Sequence, residues 1–250
     1  MQFGICPLSI VSVRSSADDT SEMVSQVLYG EHFKVLECRK FWSKIRIAFD
    51  GCEGWMSNHQ IKFIEQDIFN TLEKAKNPLY SNDLVSFVET EESILLPILL
   101  GSSSQNASLL SHKFDGNHLP RNSKKANLVQ TALLFLNAPY LWGGKTPFGI
   151  DASGFTQMVY KINGCRLLRK VQEQSEQGSP LSFIEESEAG DLVFFDNNEG
   201  EIHHVGLIMD NNYVIHVDGK VRIDRLDHTG IFNAEDGKYT YQLRVIKKLI

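Results

Sequence analysis

The sequence has 250 residues, 42% of them hydrophobic, which is enough apolar material for the packed cores of two or three domains. Its 31 acidic and 25 basic residues give a formal net charge of −6, a balance that argues against nucleic acid or an anionic membrane as a partner. A transmembrane helix, which needs about 18 or more consecutive apolar residues, is excluded because the most apolar stretch, 94–100, is short and interrupted by Pro97.

The chain start and the cysteines bear on the cellular compartment. Residues 1–4 contain neither a basic nor an apolar segment typical of a signal peptide, so we expect a cytoplasmic protein, unless a signal was removed before the sequence was recorded. The 4 cysteines have no Cys-x-x-Cys spacing, which disfavours a zinc site or a redox motif. Their scatter along the chain gives no reason to expect disulfides.

Residues 1–65 predict a small β-barrel, because short stretches of alternating apolar and polar residues follow one another with turn signals between them. The predicted strands cover 9–13, 24–28, 32–37, 42–48 and 54–56. Residues 66–122 are less regular and predict a second, diverged barrel or a linker. Within them, strands are predicted at 84–89, 94–100 and 108–112, and a Ser/Asn-rich loop at 102–108.

Two helices are predicted in the following segment. The first covers 124–137, where apolar residues share one face, and Pro139 stops it. The second begins at Ala152, with Asp151 as its N-cap and apolar residues at steps of three and four up to residue 162. Its first residue lies among unpaired backbone N–H groups at the positive end of the helix dipole, where a thiolate or an oxyanion is stabilised.

Two histidines lie on a predicted hairpin further along the chain. Strands at 202–209 and 213–217 flank a turn-forming Asp-Asn-Asn, and they carry His204 and His216. If both side chains share one face, they are direct or diagonal cross-strand neighbours, roughly 5–8 Å apart. A lone histidine in a strand is more often structural than catalytic, and we expect His203 and His228 to be solvated.

The strings YLWGGKTPFGIDASGF (140–155) and HHVGLIMDNNYVIHVDGKVRID (203–224) resemble the NlpC family of bacterial cell-wall cysteine peptidases. This resemblance spans residues 124–250 and implies an α+β fold, with a papain-like catalytic domain over 123–250. It places the nucleophile at position 152, the general base at His204 and the residue that orients it at His216. Further matched positions are an active-site tyrosine, Tyr140, and substrate-binding residues Trp142, Asp151 and Ser153.

Two positions depart from the family pattern. Ala152 stands where the family has cysteine, so no acyl-enzyme can form by this route, and the chain as written is predicted to be inactive. Lys170 stands where the most similar subfamily has an acidic residue that holds the free amino terminus of the substrate. A laboratory replacement explains Ala152 alone, whereas Lys170 gives weight to natural loss of activity, and both explanations stay open.

The resemblance implies a hydrolase of murein peptides that cleaves the γ-D-Glu–diamino acid bond and needs no metal or organic cofactor. The alternatives are a non-catalytic muropeptide-binding pseudoenzyme and, with less support, an acyltransferase or amidase. Residues 50–55 (DGCEGW) resemble a strand of bacterial SH3 domains, so one or two SH3-like barrels are expected before the catalytic domain. Such a barrel either walls off one end of the cleft or tethers the enzyme to cell-wall peptides.

Overall fold

A computed structural model describes residues 2–75, 78–118, 125–197 and 199–250. These residues form two compact units. The first contains the described residues up to 118 together with Trp142–Thr146, and the second contains 125–141 and Pro147–Ile250. None of the helices within these ranges is long and apolar enough to cross a membrane.

The first unit is built on a seven-stranded antiparallel sheet in the order β3-β2-β6-β5-β4-β1-β7. Apolar residues that alternate along these strands, among them Val13, Phe33 and Ile45, are buried in one core. All five strands predicted between residues 9 and 56 are present, whereas β1 and the edge strand β7 were not predicted. The strands are β1 Gln2–Ile5, β2 Ile10–Arg14, β3 Met23–Leu28, β4 His32–Cys38, β5 Trp42–Ile47, β6 Glu53–Ser57 and β7 Lys62–Ile64.

The rest of the first unit contains helix α1 (Gln66–Glu73) and a small sheet in the order β10-β8-β9. Its strands are β8 Val85–Glu89, β9 Leu95–Leu99 and β10 Lys113–Phe114. The predicted strand at 108–112 and loop at 102–108 are wrong, because Ser104–Leu110 forms a 3-10 helix. Its buried Ala107 and Leu110 are three residues apart, the repeat of a 3-10 turn. A separate domain over 66–122 stays a prediction.

Helix α2 (Ala126–Leu133) is shorter than the predicted helix over 124–137, whose first residue, like the expected domain boundary at 122–123, lies outside the described residues. After Leu133 the chain continues in tight turns, in which Phe135 N donates to Ala132 O. Asn137 then adopts a left-handed conformation with φ 66°, which ends the helical path before Pro139.

The second unit combines helices with a sheet in the order β13-β19-β14-β15-β16-β17-β18. An additional pairing of β18 with β19 closes six of these strands into a barrel, whose core includes Val193, Phe195 and Ile208. Helix α3 packs against β15 and β16, and α4 packs against β15. The strand β11 Lys145–Thr146 lies in the Trp142–Thr146 segment of the first unit. The other strands and α-helices of the second unit are β12 Gly149–Ile150, α3 Ala152–Ile162, α4 Val171–Ser175, β13 Ser179–Leu181, β14 Leu192–Asp196, β15 Ile202–Met209, β16 Tyr213–Asp218, β17 Lys220–Leu226, β18 Gly230–Asn233 and β19 Lys238–Lys248.

Candidate active site

Pro139 and Tyr140 connect the start of α3 to the end of β16 through backbone hydrogen bonds. Tyr140 N donates to Gly219 O at 2.9 Å, and Ile150 N donates to Pro139 O at 3.0 Å. Because α3 begins two residues after Ile150 and Gly219 directly follows β16, these bonds bring the tip of the helix next to the strand that carries His216.

The first turn of α3 has the features predicted for a nucleophile site, apart from the nucleophile. Ala152 is the first helical residue, and the carboxylate of the N-cap Asp151 accepts a hydrogen bond from Gly154 N at 2.6 Å. Ala152 is half-buried and presents only a methyl group. The helix tip therefore offers backbone donors but no group that can attack a carbonyl carbon.

Arg169 binds both polar neighbours of Ala152. Its two terminal nitrogens donate to the Asp151 carboxylate at 3.0 and 2.6 Å, and one of them also donates to Ser153 Oγ at 2.9 Å. Arg169 was not predicted as a site residue, although it directly precedes Lys170, the position noted as a departure from the family pattern. Lys170 itself is exposed at the N-cap of α4. Substrate contact by Asp151 and Ser153 stays a prediction.

The two predicted imidazoles lie side by side. Gly206 pairs directly with His216, so His204 is its diagonal neighbour across β15 and β16. The His204 Nε2 and His216 Nδ1 atoms are 2.9 Å apart, and the ring centroids are 5.2 Å apart, within the expected separation. Both rings are buried, with exposed fractions of 4% and 0%. Burial, together with His216 and His203, lowers the pKa of His204 well below its usual value, so this ring is neutral at pH 7.

A carboxylate and a guanidinium continue this hydrogen-bonded chain. His216 Nε2 is 2.9 Å from Asp224 Oδ2, and Arg222 donates to Asp224 Oδ2 at 2.6 Å and to Oδ1 at 3.0 Å. Burial raises the pKa of Asp224, but the bonds from His216 and Arg222 outweigh it and hold that pKa below its usual range. Neither residue was predicted as a site residue. The register of β16 and β17, which pairs Arg222 with His216, brings them to the imidazoles.

Tyr241 is a further unpredicted neighbour of the imidazoles. Its ring stacks on His204 with centroids 3.9 Å apart and an interplanar angle of 13°. Burial, with smaller contributions from Asp218 and Tyr140, raises the pKa of Tyr241 to about 12, so its hydroxyl stays protonated. Burial and then the charge of Asp151 raise the pKa of Tyr140. The Tyr140 side chain is 46% exposed, and its role in the active site stays a prediction.

Three further residues were singled out from the sequence. Trp142 belongs to the first unit, is 59% exposed and donates from Nε1 to Glu22 at 2.6 Å, so its contact with substrate stays a prediction. His203 and His228 are exposed, as expected. Within the described part of the chain, no three His, Cys, Asp or Glu side chains are grouped so that they could hold a metal ion.

Comparison with known proteins finds one family match in each of two parts of the chain. The family model of NlpC/P60 proteins matches residues 137–235, and that of the bacterial dipeptidyl-peptidase SH3 domain matches residues 13–61. A γ-D-glutamyl-L-lysine dipeptidyl-peptidase of Bacillus subtilis is 28% identical over 213 residues, which cover 77% of this chain and 71% of that protein. Dipeptidyl-peptidase 6 of Lysinibacillus sphaericus is 25% identical, with 87% and 89% covered.

The fold is also similar to that of a solved structure. A crystal structure of an NlpC/P60 family protein from Bacillus cereus superposes with a TM-score of 0.78 at 19% identity, and the match covers 99% of each chain. At this level of identity the likeness establishes the architecture, an NlpC/P60 fold with an SH3-like domain before it. The predicted α+β fold class is confirmed.

Proposed function

We propose, starting from the NlpC/P60 peptidase domain and the bacterial dipeptidyl-peptidase SH3 domain that this chain contains, that its site is built to cleave the γ-D-Glu–diamino acid bond of murein peptides. The observation that carries the proposal is the hydrogen-bonded pair of His204 and His216 beside the first turn of a helix that begins at position 152. The dipeptidyl-peptidases among the relatives support the substrate class.

A cysteine at position 152 completes a hydrolytic cycle with the residues present. Its sulfur attacks the carbonyl carbon after His204 takes the thiol proton, and the C–N bond breaks as His204 returns that proton to the leaving amine. Water then hydrolyses the thioester, with His204 again as the base. His216 orients His204, while Tyr140 and the N–H groups at the tip of α3 stabilise the oxyanion. With Ala152 in place, the cycle lacks its first step.

The second candidate function is binding of murein peptides without cleavage. It is favoured by the combination of Ala152 with Lys170, because a lysine cannot hold a substrate ammonium group. The two candidates share a ligand and differ in whether the other residues of the site still support catalysis once sulfur is restored.

The decisive experiment is therefore the substitution Ala152→Cys. The variant is incubated with L-Ala-γ-D-Glu-diaminopimelate and with the corresponding L-lysine peptide, and products are followed by mass spectrometry. We expect release of L-Ala-γ-D-Glu by Ala152→Cys and none by the unmodified chain. The double variant Ala152→Cys/His204→Ala is the control, and it should be inactive if the thiol acts through the imidazole.

The other outcomes distinguish the candidates. Binding of the peptides by calorimetry without cleavage by Ala152→Cys supports the non-catalytic function. Absence of both binding and cleavage contradicts the proposed substrate class. Adding Lys170→Asp to the Ala152→Cys variant tests the lost acidic residue, because restored cleavage in that variant alone assigns the defect to Lys170.

A further inference from the structure

We infer that Arg222 and Asp224 act as positioning residues that fix the proton pattern of both imidazoles, leaving the basic lone pair of His204 on Nδ1. His204 Nδ1 is the ring nitrogen that is not engaged with His216. Its use as the catalytic base rests on the proposed function. The proton pattern itself is measurable without substrate and without a nucleophile.

The carboxylate sets the first proton. Arg222 donates to both oxygens of Asp224, through Nε at 2.6 Å and a terminal nitrogen at 3.0 Å, and this bidentate bond requires an ionised carboxylate. An ionised carboxylate can only accept hydrogen bonds. In the 2.9 Å contact between Asp224 Oδ2 and His216 Nε2, the proton therefore belongs to His216 Nε2.

The guanidinium sets the charge of His216. Asp224 already has a cation in Arg222, whose side chain is 14% exposed, so its negative charge is compensated without a second proton on the imidazole. The further anion of this network, Glu235, contacts Arg222 at 3.1 Å and is 74% exposed, so solvent screens it. Asp224 is the anion that contacts the fully buried His216, and Arg222 already compensates its charge, so the ring stays neutral with a bare Nδ1.

The proton position on His216 determines the proton position on His204. The His204 Nε2 and His216 Nδ1 atoms are 2.9 Å apart and share one proton. Because His216 Nδ1 is bare, the proton belongs to His204 Nε2, and a neutral His204 then has its lone pair on Nδ1. The charged or titratable groups around the two rings are His203 on β15, Asp218 two residues after His216 on β16, Asp224 on β17 and Tyr241 on β19. Arg222 contacts Asp224, and Glu235 contacts Arg222.

Removing the guanidinium reverses the pattern. In Arg222→Gln, Asp224 keeps its charge without a cation, and His216 takes a proton from solvent to compensate it. The resulting imidazolium donates through Nδ1 to His204 Nε2, so the single proton of neutral His204 moves to Nδ1. The nitrogen that should act as the base is then occupied.

The test is long-range ¹H–¹⁵N NMR of histidine-labelled, full-length protein at pH 7. In the unmodified chain we expect neutral rings with protonated Nε2 at both His204 and His216. Arg222→Gln should give a doubly protonated His216 and a His204 protonated on Nδ1. Arg222→Lys, which keeps the charge, should retain the unmodified pattern. Arg225→Gln is the matched control, because this exposed arginine on the same strand stacks on Tyr213 instead.

Two results overturn the inference: a proton on His216 Nδ1 in the unmodified chain, or an unchanged pattern in Arg222→Gln. The first measurement decides the matter even if Arg222→Gln does not fold. Failure of Ala152→Cys to cleave murein peptides leaves the ring signals as they are, so the proposed function and the proton pattern can fail separately.

Discussion

Arg169 is the residue that holds the first turn of α3 in place. It is 5% exposed and contacts the 13% exposed Asp151, so this ion pair is largely removed from solvent. Asp151 in turn caps the helix through Gly154 N. The polar residues on both sides of position 152 therefore depend on one guanidinium, which links stability and site geometry at this point.

We expect Arg169→Met to destabilise the second unit by about 3 kcal/mol, because it leaves the Asp151 carboxylate without its buried cation. Urea unfolding at neutral pH measures the change. The matched control is Arg244→Met, since Arg244 is 61% exposed and lies 3.7 Å from Asp196, and its loss should cost less than about 1 kcal/mol. Equal effects of the two substitutions contradict the structural role given to Arg169.

At the scale of the secondary-structure elements, the pairing of β15 with β16 places the two imidazoles together. A glycine on β15 leaves space for His216 on β16. Gly206 lies directly opposite His216. A Cβ atom at Gly206 would be 2.5 Å from Val214 Cγ2 and 3.1 Å from His216 Cβ. Because Gly206 has no side chain, His216 can take the position in which its ring contacts both His204 and Asp224.

Gly206→Ala should shift His216 and weaken its bond to His204, because neither Val214 nor the strand backbone can yield without repacking. We expect a loss of stability of about 1–3 kcal/mol, as for other overpacked cores, together with changed His216 ring signals in NMR. Gly219→Ala is the control. Its Cβ meets nothing within 4 Å, so only the strain of its φ of +65° remains. Unchanged His216 signals in Gly206→Ala would show that the space is not needed.

Local patterns in the sequence predicted the strands and helices that are defined by residues close to one another in the chain. The strand-like residues 202–209 before a turn-forming Asp-Asn-Asn, and the capping signals around Ala152, predicted β15 and α3 with their observed bounds. Strand β1 was missed because it has only four residues without alternation, and it is held by pairing with β4 and β7, which are distant in sequence. Arg222, Asp224 and Tyr241 were missed because they reach His216 and His204 from other strands, and those contacts depend on barrel register.

At the scale of the whole molecule, the segment Trp142–Thr146 belongs to the first unit, although the residues on both sides of it belong to the second. Lys145 N donates to Gln26 Oε1 at 2.8 Å, across 119 positions of sequence. The Lys145 ammonium is fully buried, 3.8 Å from Glu31 Oε1. The conformation of this glycine-rich segment is therefore set by residues of β3 and the turn after it, which no local pattern in 142–146 reveals.

Gln26→Leu tests this dependence, because it removes the acceptor of a buried amide and leaves that N–H without its partner, at a cost of about 1–3 kcal/mol. We expect faster hydrogen exchange at the Lys145 amide in full-length protein, while amides in the barrel of the second unit keep their protection, since their hydrogen bonds lie within their own sheet. Gln66→Leu, at an exposed glutamine of the first unit, should leave the exchange of Lys145 unchanged. If Gln26→Leu leaves it unchanged too, residues 142–146 hold their conformation without the bond to Gln26, which contradicts the dependence on β3.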